Sequence, residues 1–182
     1  MRAIRILMLL LCAAILAGCS PRFNWHSVVF GEQGASGVLP DAAHVQTKTV
    51  QFGSIPLPLT MHSAHAGGVL FGLGEAPLPA SLSGDPQARE RLDRWAVASF
   101  YRTAGVPVPA TLPAPGERFV IEGHGPKGRL RFEIQIMVTN TEWLEAIVVA
   151  TPHDFDRAPV DDFWLALRWS AAAPAGSAAT QQ

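Results

Sequence analysis

A run of strict alternation in the second half of the chain limits the fold more than any other feature. From residue 129 to residue 138 every second residue is apolar, and the residues between them are polar or charged except for Met137. Side chains of a strand point alternately to the two faces of its sheet, so this run predicts a strand with one buried and one wet face. Such strands are typical of antiparallel sheets. The side chains expected on the buried face are Leu130, Phe132, Ile134, Ile136 and Val138.

Weaker versions of the same pattern predict further strands on both sides of it. Gly67-Gly68 is a strong hairpin turn, and residues 123–128 read as a long hairpin loop. Pro56 and Pro58 have no N–H to donate, so the strand that holds them should begin at a sheet edge. The remaining predicted strands are 45–52, 55–64, 69–74, 118–122, 143–150 and a final one over 165–169.

One long helix is predicted between the strands, over residues 86–104. Asp85 is suited to the N-cap, Pro86 to the first helical position, and Gly105 to the end of the helix. Leu92, Trp95 and Phe100 recur at helical spacing, which favours docking of this side on the sheet. The more polar arc holds Arg89, Glu90, Asp93, Arg94 and Arg102, and a short helix is expected over 159–165.

The order of these elements predicts the fold class. Adjacent strands followed by a helix, more strands and a short helix indicate an α+β domain. Its mostly antiparallel sheet is covered by one long helix and one short C-terminal helix. Apolar residues make up 48% of the chain, enough for a single core. This order, with the closing segment 160–164, resembles the PsbP-like fold of small extracytoplasmic or lumenal proteins. The resemblance implies an architecture and not a function.

The N-terminal segment has the pattern of a secretory signal. Arg2 and Arg5 precede an apolar run of 12 residues, 6–17. A membrane-spanning helix needs about 20 such residues, so the run is too short to span and suits a signal peptide. We therefore expect residues 1–18 to be removed.

The signal ends in Leu16-Ala17-Gly18-Cys19, which resembles the lipobox of bacterial lipoproteins. The resemblance implies cleavage before Cys19, a diacylglyceryl group on its thiol and acylation of its new amino group. In that family Asp after the cysteine retains the protein in the inner membrane. Ser20 therefore implies sorting to the outer membrane, facing the periplasm. The alternative is an ordinary secretory signal with an accidental cysteine.

The expected organisation after the signal is a tether over 19–24, an α+β domain over 25–170 and a tail over 171–182. The tail has no large apolar residue, so we expect it to be disordered. Cys12 leaves with the signal, and Cys19 is then the only cysteine, so no disulfide is expected. The net charge is −1 without a basic cluster, so no nucleic-acid partner is expected.

The residues that could carry chemistry do not form a known constellation. His62 and His65 are three apart, which on a strand places them on opposite faces. Segment 153–156 is a loop with two aspartates and a histidine, followed by Asp161 and Asp162, but a metal site needs at least three converging ligands. Residues 72–74 lack the third glycine of a dinucleotide site and read as a flexible strand end. We therefore expect no metal, no cofactor and no catalytic residues.

Tryptophans are the other group that could mark a surface. Trp95 is expected in the core, and Trp164 and Trp169 are expected to close the sheet. Trp25, next to the tether, either packs on the domain or sits among lipid headgroups.

Two functional hypotheses follow from the sequence. The first is a non-catalytic, membrane-tethered interaction or assembly module of the cell envelope, with the membrane and an envelope protein as partners. The second is a periplasmic small-ligand carrier, or an unrecognised hydrolase, with a pocket between helix 86–104 and the sheet.

Overall fold

The structure, a computed structural model, describes residues 22–126 and 128–169. The predicted signal, Cys19, and the tail over 171–182 lie outside the described residues. The strands are β1 (His26–Phe30), β2 (Ala35–Leu39), β3 (His44–Phe52), β4 (Ile55–Ala66), β5 (Val69–Pro77), β6 (Arg118–Gly125), β7 (Gly128–Val138) and β8 (Glu142–Ala150). The helices are α1 (Ala80–Ser83), α2 (Pro86–Thr103), α3 (Pro152–Phe155) and α4 (Val160–Ala166).

Six strands form the main sheet in the order β3-β4-β5-β8-β7-β6, and every neighbouring pair is antiparallel. Strands β1 and β2 form a separate antiparallel hairpin. The predicted α+β class with a mostly antiparallel sheet is therefore confirmed. Pro56 and Pro58 pair only with β3, because β5 joins β4 from Thr60 onwards. The expected edge position of the two prolines is also confirmed.

We call the sheet surface under α2 the helix face. The helix begins where Asp85 accepts hydrogen bonds from the N–H groups of Gln87 and Ala88, and Gly105 follows its end with φ 70°. Trp95 is half-buried, and its ring packs edge-on against Phe52 and Trp143, at centroid distances of 5.6 Å and 6.2 Å. The buried side chains of this core include Leu57, Leu92, Ala96, Val97, Phe132, Ile134, Ile136 and Ile147.

We call the opposite surface the hairpin face, because the β1–β2 hairpin covers it together with α3 and α4. Phe71 lies at its centre, and Phe23, Trp25 and Phe163 pack around that ring at 6.4, 5.6 and 5.4 Å. Trp25 therefore packs on the domain, which decides between the two alternatives left by the sequence. The other buried side chains include Phe30, Leu39, Leu73, Leu144, Ala146, Val148 and Trp164.

The alternation predicted that the second face of β7 is exposed to solvent, but this face is partly buried. Helix α3 packs against β7 and β8 there, and the Arg131 guanidinium lies 4.6 Å from the centre of the Phe155 ring. Arg131 also donates a 3.0 Å hydrogen bond to the buried carboxylate of Glu133. The charges on this face are thus paired with each other and with a ring beneath a helix that the sequence pattern did not predict.

The final strand predicted over 165–169 is wrong. Helix α4 continues to Ala166, and Leu165 is exposed. Only Arg168 joins a strand, through a pair of hydrogen bonds between its backbone and that of Ser36, at 2.9 Å and 2.8 Å. Trp169 then packs on Phe30, with 6.2 Å between ring centroids.

The long loop predicted over 123–128 is also wrong, because β6 and β7 pair up to Gly125 and Gly128. At the open edge of β6, the N–H of His124 donates to the carbonyl of Ala104 at 2.9 Å. A Cβ on Gly123 would lie 2.5 Å from that carbonyl oxygen, so glycine permits the close approach. Gly123 and Gly125 were both expected in a turn. Gly125 instead pairs with Gly128 in the sheet, and Gly123 lets β6 contact the end of α2.

Candidate functional site

A cleft opens between the two sheets at one end of the hairpin face. It has a volume of about 360 Å³. One wall is the turn end of the β1–β2 hairpin, with Val29 70% exposed and Glu32 beside it. The other wall is formed by the middle of β4, the end of β5 and the start of β8. Three carboxyl groups line it, those of Glu32, Glu75 and Glu142. We call this surface the end cleft.

Glu142 forms the floor of the end cleft and holds one wall in place. Its carboxylate is 1% exposed and accepts hydrogen bonds from the backbone N–H groups of Glu32, at 2.7 Å, and Gln33, at 3.2 Å. A Cβ on Gly31 would lie 2.7 Å from this carboxylate, and Gly31 has φ 73°, so only glycine fits the turn. Both oxygens of Glu142 are engaged in tying the hairpin to β8.

Glu75 is more accessible in the end cleft than Glu142. It lies on β5, half-buried, with its Oε1 3.7 Å from Nε2 of His62. That nitrogen has no hydrogen-bond partner among the described residues. Glu75 and Glu32 favour a positively charged or hydrogen-bond-donating group, while the exposed Val29 offers an apolar contact. The arrangement suits contact with a basic or hydrogen-bond-donating group that has an apolar part beside it.

The histidines predicted to lie on opposite faces of their strand do so. His62 points to the hairpin face beside Glu75, while His65, three residues further along β4, is exposed. Within residues 22–126 and 128–169, no group of three His, Cys, Asp or Glu side chains is placed to hold a metal ion.

Segment 153–156 is largely helical and not a loop, which corrects the prediction. Helix α3 begins after Thr151, whose hydroxyl oxygen accepts the N–H of Asp154 at 3.2 Å and donates to the Asp154 carboxylate at 2.8 Å. Pro152 occupies the first turn, where a missing N–H costs nothing. Asp154 is therefore occupied in starting a helix, while Asp161 and Asp162 are exposed on α4.

Residues 72–74 are not a flexible strand end, because they lie buried in the middle of β5. A Cβ on Gly72 would lie 2.9 Å from Ile147, and one on Gly74 would lie 2.5 Å from the Met61 sulfur and 2.6 Å from Glu145. Because Gly72 and Gly74 have no side chains, they leave room on the helix face, and the side chains of Met61, Glu145 and Ile147 fill it.

Glu145, which no sequence pattern singled out, lies on β8 with its side chain over Gly74. Its side chain is buried on the helix face, and burial raises its pKa to about 7. The only sign of a buried carboxyl in the sequence is that Glu145 is the one polar residue in the run 143–150. An acidic residue with such a pKa accepts or releases a proton near neutral pH.

Asp93 is the second buried carboxyl that the sequence analysis missed, since the helical spacing placed it on the polar arc of α2. It is 4% exposed, because the loop after the helix covers it. A cavity of about 270 Å³ lies beside it, between α2 and residues 110–115. This cavity is bounded by a helix and a loop, and not by the helix and the sheet.

Comparison with known proteins does not assign the chain to a family. No family model matches it, and neither the curated proteins nor the solved structures contain a significant match. The resemblances to the bacterial lipoproteins and to the PsbP-like fold therefore stay hypotheses. In the part of the chain that the structure describes, no helix is long and apolar enough to cross a membrane.

Proposed function

We propose that this protein is a bacterial outer-membrane lipoprotein, anchored through Cys19, whose domain is a non-catalytic interaction module of the cell envelope. In this proposal the domain is one folding unit in which α2 and α4 cover the sheet. The anchor is the membrane contact, and the end cleft is the surface for an envelope protein partner.

The observation that carries the proposal is the packing of the first described residues. Phe23 and Arg22 lie on the β4–β5 turn, so closely that a Cβ on Gly67 would be 2.8 Å from the Phe23 ring. Three peptide steps separate Arg22 from Cys19, which is at most about 10 Å. A lipid on Cys19 would thus hold the β4–β5 turn close to the bilayer surface.

The end cleft lies at the other end of the same strands. Strand β5 starts beside the β4–β5 turn at Val69 and ends at Pro77, which lines the cleft. Nine strand residues span about 26 Å at about 3.3 Å each. An anchor at Cys19 would therefore point the end cleft away from the membrane, where a partner in the periplasm reaches it.

The anchor is tested by mass spectrometry of the protein extracted from membranes. We expect a chain that begins at residue 19 and carries acyl groups, because the lipobox directs both steps. Cys19→Ala should leave the membrane fraction or stay unprocessed, whereas Cys12→Ala, the matched control, should behave like the parent. Unmodified full-length chain in the membranes of the parent strain would contradict the proposal.

The interaction surface is tested by photo-crosslinking in native membranes. A photoreactive residue at Val29, in the end cleft, should give a discrete adduct with an envelope protein. The same residue at Val120, which is 45% exposed on edge strand β6, is the matched control and should not. Equal adducts from both positions, or none from Val29, would argue against the end cleft as the partner surface.

A further inference from the structure

The starting observation is a buried carboxyl oxygen without a partner. Asp93 Oδ1 has no hydrogen bond to any residue in the ranges 22–126 and 128–169. Buried polar groups in native proteins are nearly always bonded, since leaving one unpaired costs free energy. Asp93 therefore needs an explanation that its neighbours do not give.

The arginine one helical turn before Asp93 is directed elsewhere. Arg89 precedes Asp93 by four residues, the spacing at which helical ion pairs form. Its guanidinium instead donates to the backbone carbonyls of Leu82 and Ser83. Burial, and secondly the Glu90 carboxylate, raise the pKa of Asp93 to about 6. Asp93 and Glu90 thus form an acidic pair, and within residues 22–126 and 128–169 neither carboxylate makes an ion pair with a basic side chain.

The wall opposite α2 offers no positive charge. Residues 110–115 of the loop have no ionisable side chain, and the next ionisable residue, Glu117, accepts the N–H of Ala114 at 2.9 Å. The groups on the helix wall are Glu90, Asp93 and Arg94. The cavity is partly open to solvent, and its volume of about 270 Å³ is slightly below that of most ligand sites, which fits a molecule of a few heavy atoms.

We propose that this cavity binds a small molecule with a protonated primary amine, whose N–H groups donate to Asp93 and whose charge is balanced by Asp93 and Glu90. Leu112 and Pro113 on the loop contact the carbon chain of the ligand. The amine belongs either to a simple amine or to an amino acid, whose carboxylate would pair with Arg94. This inference is independent of the lipid anchor and of the end cleft.

The test is calorimetric titration of the purified protein with ethanolamine and with alanine. At about pH 7.5 we expect saturable binding of at least one probe. Asp93→Asn keeps the shape but removes the charge, so affinity should fall at least tenfold. Glu90→Gln, at an exposed position, should weaken binding severalfold. Asp161→Asn, an exposed carboxylate on α4, is the matched control and should bind like the parent.

Two further comparisons identify the ligand and its mode of binding. Lowering the pH from about 7.5 to about 5 should weaken binding roughly tenfold in the parent, because most of Asp93 is then protonated, and much less in Asp93→Asn. Tighter binding of alanine that Arg94→Gln abolishes would identify an amino acid, and ethanolamine alone would identify a simple amine. No saturable binding of either probe up to about 50 mM, or equal affinity in Asp93→Asn and the parent, would overturn the proposal.

Discussion

The two faces of the sheet are closed in different ways. On the helix face one continuous segment, the 18-residue α2, supplies much of the cover. On the hairpin face the cover is assembled from β1 and β2 near one end of the described chain and from α3 and α4 near the other. One cover is local in the sequence, and the other depends on contacts between distant segments.

The buried carboxyl groups also differ between the two sides of the sheet. On the hairpin face the carboxylate of Glu142 accepts two backbone N–H groups and that of Glu133 accepts a hydrogen bond from Arg131, so both have partners. On the helix face burial raises the pKa of Glu145, and on α2 above this face burial beneath the loop 110–115 raises that of Asp93. The hairpin face thus uses its carboxylates to hold segments together, whereas the helix face disfavours their charge. We expect pH to act mainly through the helix face.

The largest effect should come from removing the centre of the hairpin face. Phe71→Ala deletes a fully buried ring that contacts Phe23, Trp25 and Phe163. We expect the free energy of unfolding to fall by about 3–5 kcal/mol, from lost transfer energy and a cavity. Urea denaturation measures it, with Leu165→Ala as the exposed control. A loss below that of Trp95→Ala would reverse the comparison between the faces.

The next effect concerns Glu145 and the pH. Because its pKa rises from 4.5 to about 7 on folding, the native state holds the proton more tightly than the unfolded state. Stability should therefore fall as the pH rises from about 4.5 to 7, by about 3 kcal/mol, and stay low above it. Asp93, whose pKa rises to about 6, acts in the same direction.

Glu145→Gln removes the largest contribution to this fall. Denaturation curves from about pH 4.5 to 8 should show a smaller decrease than the parent, and the variant should be more stable at about pH 8. Glu122→Gln, an exposed carboxylate on β6, should leave the pH dependence unchanged. An unaltered pH profile in Glu145→Gln would mean that folding does not raise the pKa of this carboxyl.

A smaller loss is expected at the helix face. Trp95 is only half-buried, so Trp95→Ala should lower the free energy of unfolding by about 2–3 kcal/mol, less than Phe71→Ala. Arg94→Ala, on the exposed side of α2, should change it by no more than about 0.5 kcal/mol. Thermal and urea melts compare the two. If Trp95→Ala melts like the parent, α2 is not held to the sheet by this ring.

The smallest effect is predicted for the link between hairpin and sheet. Glu142→Gln keeps the size of the side chain but replaces one acceptor oxygen by a donor, so we expect a loss of about 1 kcal/mol. Amide hydrogen exchange should quicken at Glu32 and Gln33, while Glu32→Gln, at an exposed position in the same cleft, should not alter stability. Unchanged exchange at both amides would mean that the Glu142 carboxylate does not hold the hairpin to β8.

Sequence reasoning succeeded where structure is local. The Asp85 cap, the Gly67-Gly68 turn and the alternation over 130–138 depend on neighbours a few residues away, and each predicted its element. The β1–β2 hairpin was not predicted, because a strand such as 35–39, with two small residues and a glycine, shows little alternation of apolar and polar residues. It is stable only against residues that follow much later in the chain.

The candidate sites were less predictable for a related reason. Glu142 and Glu145 occupy alternate positions of one strand, so they lie on opposite faces with opposite environments. Asp93 has the spacing of a polar helix position, and only the path of residues 110–115 buries it. Whether a carboxyl is clamped, buried or solvated depends on distant segments, which no local pattern in the sequence encodes.

The pairing of Ser36 with Arg168 has a consequence for the order in which the chain becomes ordered during synthesis. The hairpin is made early, but its backbone partner is made last, after nearly the whole described chain. Until then the apolar underside of the hairpin and the ring of Phe71 have no complete cover. A chain that has not yet brought the segment around Arg168 into place therefore exposes an adhesive surface, and the closing of this pair, not the formation of α2, completes the cover that protects the hairpin face from aggregation.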